Sequence, residues 1–232
     1  MQTSRLLLVI VGDLDADVLK QRIAASFGKL PHGDYKELAF ASFDFSKPTL
    51  DITTRNLPTN YIQGVFAAPS INNPDFYAMR VATTILRDRV FEEVRVKRNL
   101  SYAPSADIGS LGINSGNIYV SAVDANRSVS VMLDEVKKLR TDLVDERDIS
   151  GVTGQFLTTH FIGQETNAAQ ARELAMYELT GGGWRNSMKF LESVRRVTPQ
   201  EVRAVSVMYM KNIRFIVVGN PAAIDRSVFL RN

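Results

Sequence analysis

The 232-residue chain contains no cysteine and only two histidines. The first absence removes disulfides, zinc ribbons and thiol nucleophiles together, and leaves the compartment open. The two histidines, His32 and His160, have no second histidine at metal-ligand spacing. "HFIGQE" puts Glu165 five residues beyond His160, off the face that shared ligation on a helix needs. No apolar stretch approaches the length of a membrane span. The run "LLLVIV" (6–11) is short for a signal-peptide core, and "GDLD" follows where small cleavage-site residues belong. The net charge is +3, but the basic residues form no stripe with interleaved aromatics, so nucleic acid is not an expected partner.

The motif-like stretches that remain have plainer explanations. "DLDAD" imitates the start of a calcium loop, yet Val18 stands where that loop needs glycine and Ala24 where it needs glutamate. It reads as helix capping. "TGGGW" (180–184) follows a helix and lacks Lys-Ser/Thr, so it is a helix stop and no phosphate cradle. Neither histidine sits in a nucleophile motif. On residues alone the chain has no catalytic residue and no metal site of its own.

What is present is ordinary globular composition, 45% hydrophobic and 23% charged, in a chain long enough for one large domain or two small ones. "RLLLVIV" (5–11), closed by Gly12, suits a strand buried on both faces. A helix follows from Asp13 or Asp15 to about Gly28. Residues 31–48 read as an ordered connection without much regular structure. Residues 50–56 and 61–69 predict two strands around "LPTN". Asn73, Pro74 and Asp75 then open a long helix with an apolar face through Met79, Ala82, Leu86, Val90 and Val94. Asn99 is suited to end it, because asparagine tolerates the left-handed cap conformation.

Residues 102–111 and 117–123 read as a hairpin, and Pro104 places its first strand at an edge or a bulge. Helices are expected at 126–143, 146–162, 167–180, 185–194 and 199–210, the last capped by Thr198-Pro199. "RFIVVGNPAAID" (214–225) closes the chain and repeats the pattern of "RLLLVIVGDLDAD" (5–17): arginine, apolar strand, glycine, then a polar residue before a helix. The two glycines, Gly12 and Gly219, are 207 residues apart, which is the period of a duplicated domain. Any buried strand leading into a helix has a similar look, which is the plainer alternative.

One junction carries chemistry. In "VRVKRNLSYAPSA" (94–106), Arg95 and Tyr102 lie seven apart, on either side of the helix-to-strand turn. The plain alternative pairs Arg95 with Glu92 or another carboxylate and half-buries Tyr102 in a strand. The functional alternative holds both at one mouth, where a guanidinium and a phenol grip a peptide carbonyl or a developing oxyanion.

At these residues the chain resembles the pitrilysin/insulinase-like zinc metallopeptidases, which carry the inverted zinc motif H-x-x-E-H and include mitochondrial processing peptidase. "LLLVIVGDLDADVLKQRIAASFGKLP" is similar to the strand, Gly-Asp turn and helix leading into the family's second repeat. "VRVKRNLSYAPSA" is similar to its Arg-x-Lys-Arg-Gly-Leu-x-Tyr segment, and "IRFIVVGNPAAID" to its closing strand. Asn99 replaces the usual glycine, and Pro104 is a second departure.

The resemblance implies an α+β fold, with a mixed, largely antiparallel sheet and helices mainly on one face. It implies that residues 1–30 are a closing strand and helix from a preceding repeat, and 31–232 the second, metal-free repeat. With its own sheet in that preceding repeat, the run 5–11 is expected to pair loosely or with a substitute partner, in a chain that is a piece of a longer protein. H-x-x-E-H is absent here. Zinc is therefore expected in a partner half, in the same chain or a separate subunit, and none in this one. Arg95 and Tyr102 become substrate-binding residues for a peptide, in a bacterial periplasm or cytoplasm. The alternative is an inactive scaffold homologue of the same family, and a third reading is an unrelated ligand-binding α+β domain.

Overall fold

The structure is a computed structural model and describes residues 2–36 and 43–231. Its centre is a helix that is buried nearly all round, α2 (Phe76–Val90), with Met79, Val81, Ala82, Ile85, Leu86 and Val90 all inaccessible. The sequence expectation placed the start of α2 at Pro74. Instead Asn73 forms a turn first, its Oδ1 accepting from the Asp75 N–H at 2.8 Å, and regular helix begins at Phe76.

The described strands form one sheet. They are β1 (Thr49–Thr54), β2 (Asn60–Ala68), β3 (Ser105–Ile108), β4 (Asn114–Ala122) and β5 (Arg214–Gly219), in spatial order β1-β5-β2-β4-β3. β1 runs parallel to β5, and every other pair is antiparallel. The expected strands around "LPTN" both form, but β5 inserts between them, so they never pair. β3 is an edge strand that begins at Ser105, directly after Pro104.

Alternation decides which face is buried. Ile62, Phe66, Ile118, Val120, Phe215 and Val217 turn inward under the helices, while Tyr61, Gln63 and Ile216 lie on the open face. Phe66 needs a bare backbone opposite it. A Cβ on Gly116, its cross-strand partner, would fall 2.1 Å from the Phe66 ring. The covering layer is α2 with α3 (Ala125–Thr141), α4 (Glu146–Gly163), α5 (Asn167–Thr180), α6 (Phe190–Arg195), α7 (Pro199–Tyr209) and α8 (Arg226–Leu230). A 3-10 stretch, Trp184–Lys189, precedes α6 where the sequence predicted continuous helix. α7 starts as expected, with Thr198 and Glu201 closing a reciprocal capping box. No described helix is long and apolar enough to cross a membrane.

The N-terminal segment is different. α1 (Ala16–Ser26) forms, capped by the Asp15 carboxylate at 2.9 Å from the Asp17 and Val18 amides. The strand predicted at 5–11 does not form. Thr3–Arg5 is a 3-10 turn and residues 6–11 join no ladder. A strand needs a neighbour for its backbone groups, and no described strand pairs with this run. Of the expected irregular connection, residues 31–36 and 43–48 are irregular and 37–42 lie outside the described residues.

Candidate functional site

The carboxyl end of the central helix widens into a π-turn, Phe91–Val96, where the Lys97 N–H donates to the Glu92 carbonyl five residues back at 2.9 Å. The chain then reverses at Asn99, whose φ of 49° is left-handed. The reversal is closed by hydrogen bonds from the Asn99 N–H to the Arg95 carbonyl (3.1 Å) and from the Leu100 N–H to the Val94 carbonyl (2.9 Å). Asparagine thus does here what glycine does at most such caps. Ser101 fixes the exit: its hydroxyl donates to the Ser121 carbonyl on β4 at 2.7 Å and accepts from the Ala103 N–H at 3.3 Å.

This geometry brings Arg95 and Tyr102 together, though not as a strand start beside a helix end. Tyr102 lies in the turn three residues before β3 and is 78% exposed. The Arg95 guanidinium carbon sits 4.1 Å from the centre of the Tyr102 ring and 4.9 Å from that of Phe91. The cation is held between two aromatic faces, each contact worth about 0.5–1 kcal/mol at an exposed site. Phe91 was not among the residues singled out from sequence. Its signal was there, since it precedes Arg95 by four on one helix.

The other charges of this turn are already paired. Glu93 accepts from Lys97 at 2.6 Å and from Arg98, which also donates to the Glu93 carbonyl at 3.0 Å. The hydrogen bond from Lys97, then that from Arg98, holds the Glu93 carboxyl below its ordinary value, and the same contact with Glu93 raises Lys97. Among the described residues Arg95 has no ion pair, and neither its guanidinium nor the Tyr102 hydroxyl has a hydrogen-bond partner. Both parts of the plain alternative therefore fail: Arg95 is not tied to Glu92, and Tyr102 is not half buried in a strand. Two oriented donors face an open groove of about 540 Å³, with Thr59, Val96, Ser121 and Val123 on its rim.

The two histidines lie elsewhere. His32 Nδ1 is 3.3 Å from the Thr3 hydroxyl, and His160 stacks on Phe190 at 5.9 Å between ring centres. Among the described residues no group of histidine, aspartate and glutamate is placed to hold a metal ion.

Comparison with known proteins gives a family and a fold. The family described as "Peptidase M16 inactive domain" matches residues 1–154. No curated protein matches. Among solved structures, a protease from Helicobacter pylori superposes with a TM-score of 0.80 at 11% identity, over 90% of this chain and 53% of its own. A peptidase M16 inactive domain from Pseudomonas fluorescens gives 0.76 at 16%, over 90% and 52%. A chain of complex III2 from Candida albicans gives 0.76 at 18%, over 90% and 53%. The chain spans about half the length of these structures.

Proposed function

Because this chain belongs to the family of the peptidase M16 inactive domain, a non-catalytic half of a zinc protease, we propose that it grips the peptide through Arg95 and Tyr102. The zinc and the general base lie in the partner half, in the same chain or a separate subunit, and the two halves close around the substrate. Residues 1–30 belong structurally to that preceding half, which supplies the sheet edge that the run 6–11 lacks here.

The observation that carries this reading is the Arg95 stack. A guanidinium clamped by Phe91 and Tyr102, with its N–H groups and the phenol hydroxyl unpaired, is preorganised to donate. Such donors contribute most where negative charge develops, on the oxygen of the scissile carbonyl. Phe91 positions Arg95, and the apolar rim of Val96 and Val123 faces the flanking substrate side chains.

The test uses the complete two-half enzyme. Tyr102→Phe keeps the ring that stacks on Arg95 and removes only the hydroxyl, so the thermal midpoint should not move. The expected loss is in kcat/KM, on the order of 10²-fold. Arg95→Ala should lose at least as much turnover and about 1 kcal/mol of stability from the stack. Arg95→Lys keeps the charge without the planar fork and should not restore activity. Near-normal cleavage by Tyr102→Phe and Arg95→Ala would return the pair to a structural role. Absence of cleavage by the unmodified two-half enzyme would favour the scaffold alternative.

A further inference from the structure

Arg80 lies on the central helix, fifteen residues before Arg95, and faces a cavity of about 180 Å³ among α2, α4, α5 and α6. Its guanidinium carbon is 5.2 Å from the centre of the Phe156 ring and 5.3 Å from that of Phe190. Rings stabilise the charge but take none of the guanidinium's five N–H donors in a proper hydrogen bond. Among the described residues no oxygen accepts a hydrogen bond from the Arg80 guanidinium or lies at ion-pair distance from it, although the charges of Asp107 and Glu173 act on it from further away. By contrast the buried Glu135 holds Lys138 at 2.6 Å. Arg80 is partly buried, and removal from water is the main cause that lowers its pKa, while its nitrogens stay open to the cavity.

We propose that this cavity binds a small molecule with a carboxylate on an apolar body, the carboxylate taken by Arg80. A planar fork with free donors matches a carboxylate in a bidentate arrangement. Phe156, Phe190 and Met176 line the cavity and suit an apolar body, which a compact inorganic anion does not have. Tyr177 is a donor rather than a competing anion, since burial pushes its phenol well above the ordinary range. The volume is below that of pockets for drug-sized ligands, so it admits one small molecule and no peptide segment. Glu173 also lines the cavity, with one oxygen occupied by the Gln164 side-chain amide at 2.5 Å and the other free. The ligand is therefore either an aliphatic acid or an amino acid whose ammonium meets that oxygen.

Calorimetric titration of the chain with 4-methylpentanoate, 4-methylpentanamide, leucine and inorganic phosphate tests the proposal. The acid should bind one to one at millimolar concentration or below, and the amide at least about tenfold more weakly, since it lacks the charge. Arg80→Lys should weaken the acid by at least about tenfold, because the ammonium cannot make the planar pair. Arg95→Ala should leave acid binding unchanged, which places the site away from the stack. Tighter binding of leucine than of the acid, lost in Glu173→Gln, identifies an amino acid as the source. The opposite order identifies an aliphatic acid. Equal binding of acid and amide, no binding of either, or phosphate matching the acid would overturn the proposal. The comparison of acid and amide on the unmodified chain decides it even where a variant fails to fold.

Discussion

Two stretches of this chain carry nearly the same pattern and meet opposite fates. "RFIVVG" is β5, paired with β1 on one side and β2 on the other, with Phe215 and Val217 wholly inaccessible. "RLLLVIVG" (5–12) pairs with no described strand, and Leu7, Leu8 and Ile10 are 39%, 40% and 41% exposed. Even the leading arginines differ in their surroundings. Arg214 donates to the Thr49 hydroxyl at 3.2 Å and the Asp44 carbonyl at 3.1 Å, whereas Arg5 lies over the Tyr35 ring at 5.1 Å. The difference teaches that an apolar β-branched run is only a candidate for pairing. Backbone donors and acceptors become a strand only when a neighbouring strand's edge receives them.

The largest contrast should appear in amide hydrogen exchange. The amides of 215–218 should open only with global unfolding, and those of 7–11 should exchange faster by about 10³-fold or more. Adding the zinc-bearing half should protect 7–11 if they complete its sheet. Unchanged exchange there would break the proposed assignment of residues 1–30.

Truncating side chains gives the next contrast. Phe215→Ala removes a buried ring that packs edge-on against Phe229 at 5.2 Å, and should cost about 3–5 kcal/mol in urea unfolding. Leu8→Ala should stay within about 0.5 kcal/mol. Similar losses at the two sites would mean that the first run is packed after all.

The paired glycines give a finer one. A Cβ on Gly219 would fall 2.1 Å from Asn60 Oδ1, which accepts from the Asn220 N–H at 3.3 Å. The same asparagine donates to the Ala122 and Val123 carbonyls at 3.2 and 3.1 Å, tying β2 to β4. Gly219→Ala should therefore cost about 1–3 kcal/mol through overpacking. At Gly12 no atom comes nearer than 3.5 Å, and the same substitution should be neutral within about 0.5 kcal/mol.

The smallest effect separates the two regions by pH. Glu93 has a lowered pKa, so its ion pairs stabilise the fold above the ordinary value of 4.5, and that contribution is lost as pH falls through the lowered value. The thermal midpoint of Glu93→Gln should lie below that of the unmodified chain at neutral pH and converge with it in acid. Asp17→Asn, which removes an ion pair to Lys20 whose side chains are 84% and 76% exposed, should move the thermal midpoint at neutral pH by less than Glu93→Gln does.

The helices were legible because their signals are local. Asp15, Asn73, Thr198 and Asn99 all lie at the turns their side chains suit, and their hydrogen bonds reach only two to four residues. The candidate site was legible in part: the spacing of Arg95 and Tyr102 drew attention to the right turn. The stack with Phe91, the π-turn that forms it and the anchoring of Ser101 to β4 were not. The approach of two rings to one cation depends on a five-residue hydrogen bond and on a strand twenty residues further along the chain.

By itself, then, the sequence determined where helices start and stop, which faces are apolar, and that no cysteine or paired-histidine chemistry is available. Those properties follow from side chains acting on their own backbone and from composition. Only the tertiary structure decided that β5 enters between β1 and β2, and that its near-copy at 6–11 stays unpaired. It alone placed the Arg80 guanidinium over the Phe156 and Phe190 rings at the wall of a cavity. These outcomes depend on contacts between segments as much as 176 residues apart, such as Arg226 with the Leu50 carbonyl. Competition among distant partners selects them, and no local preference encodes the winner.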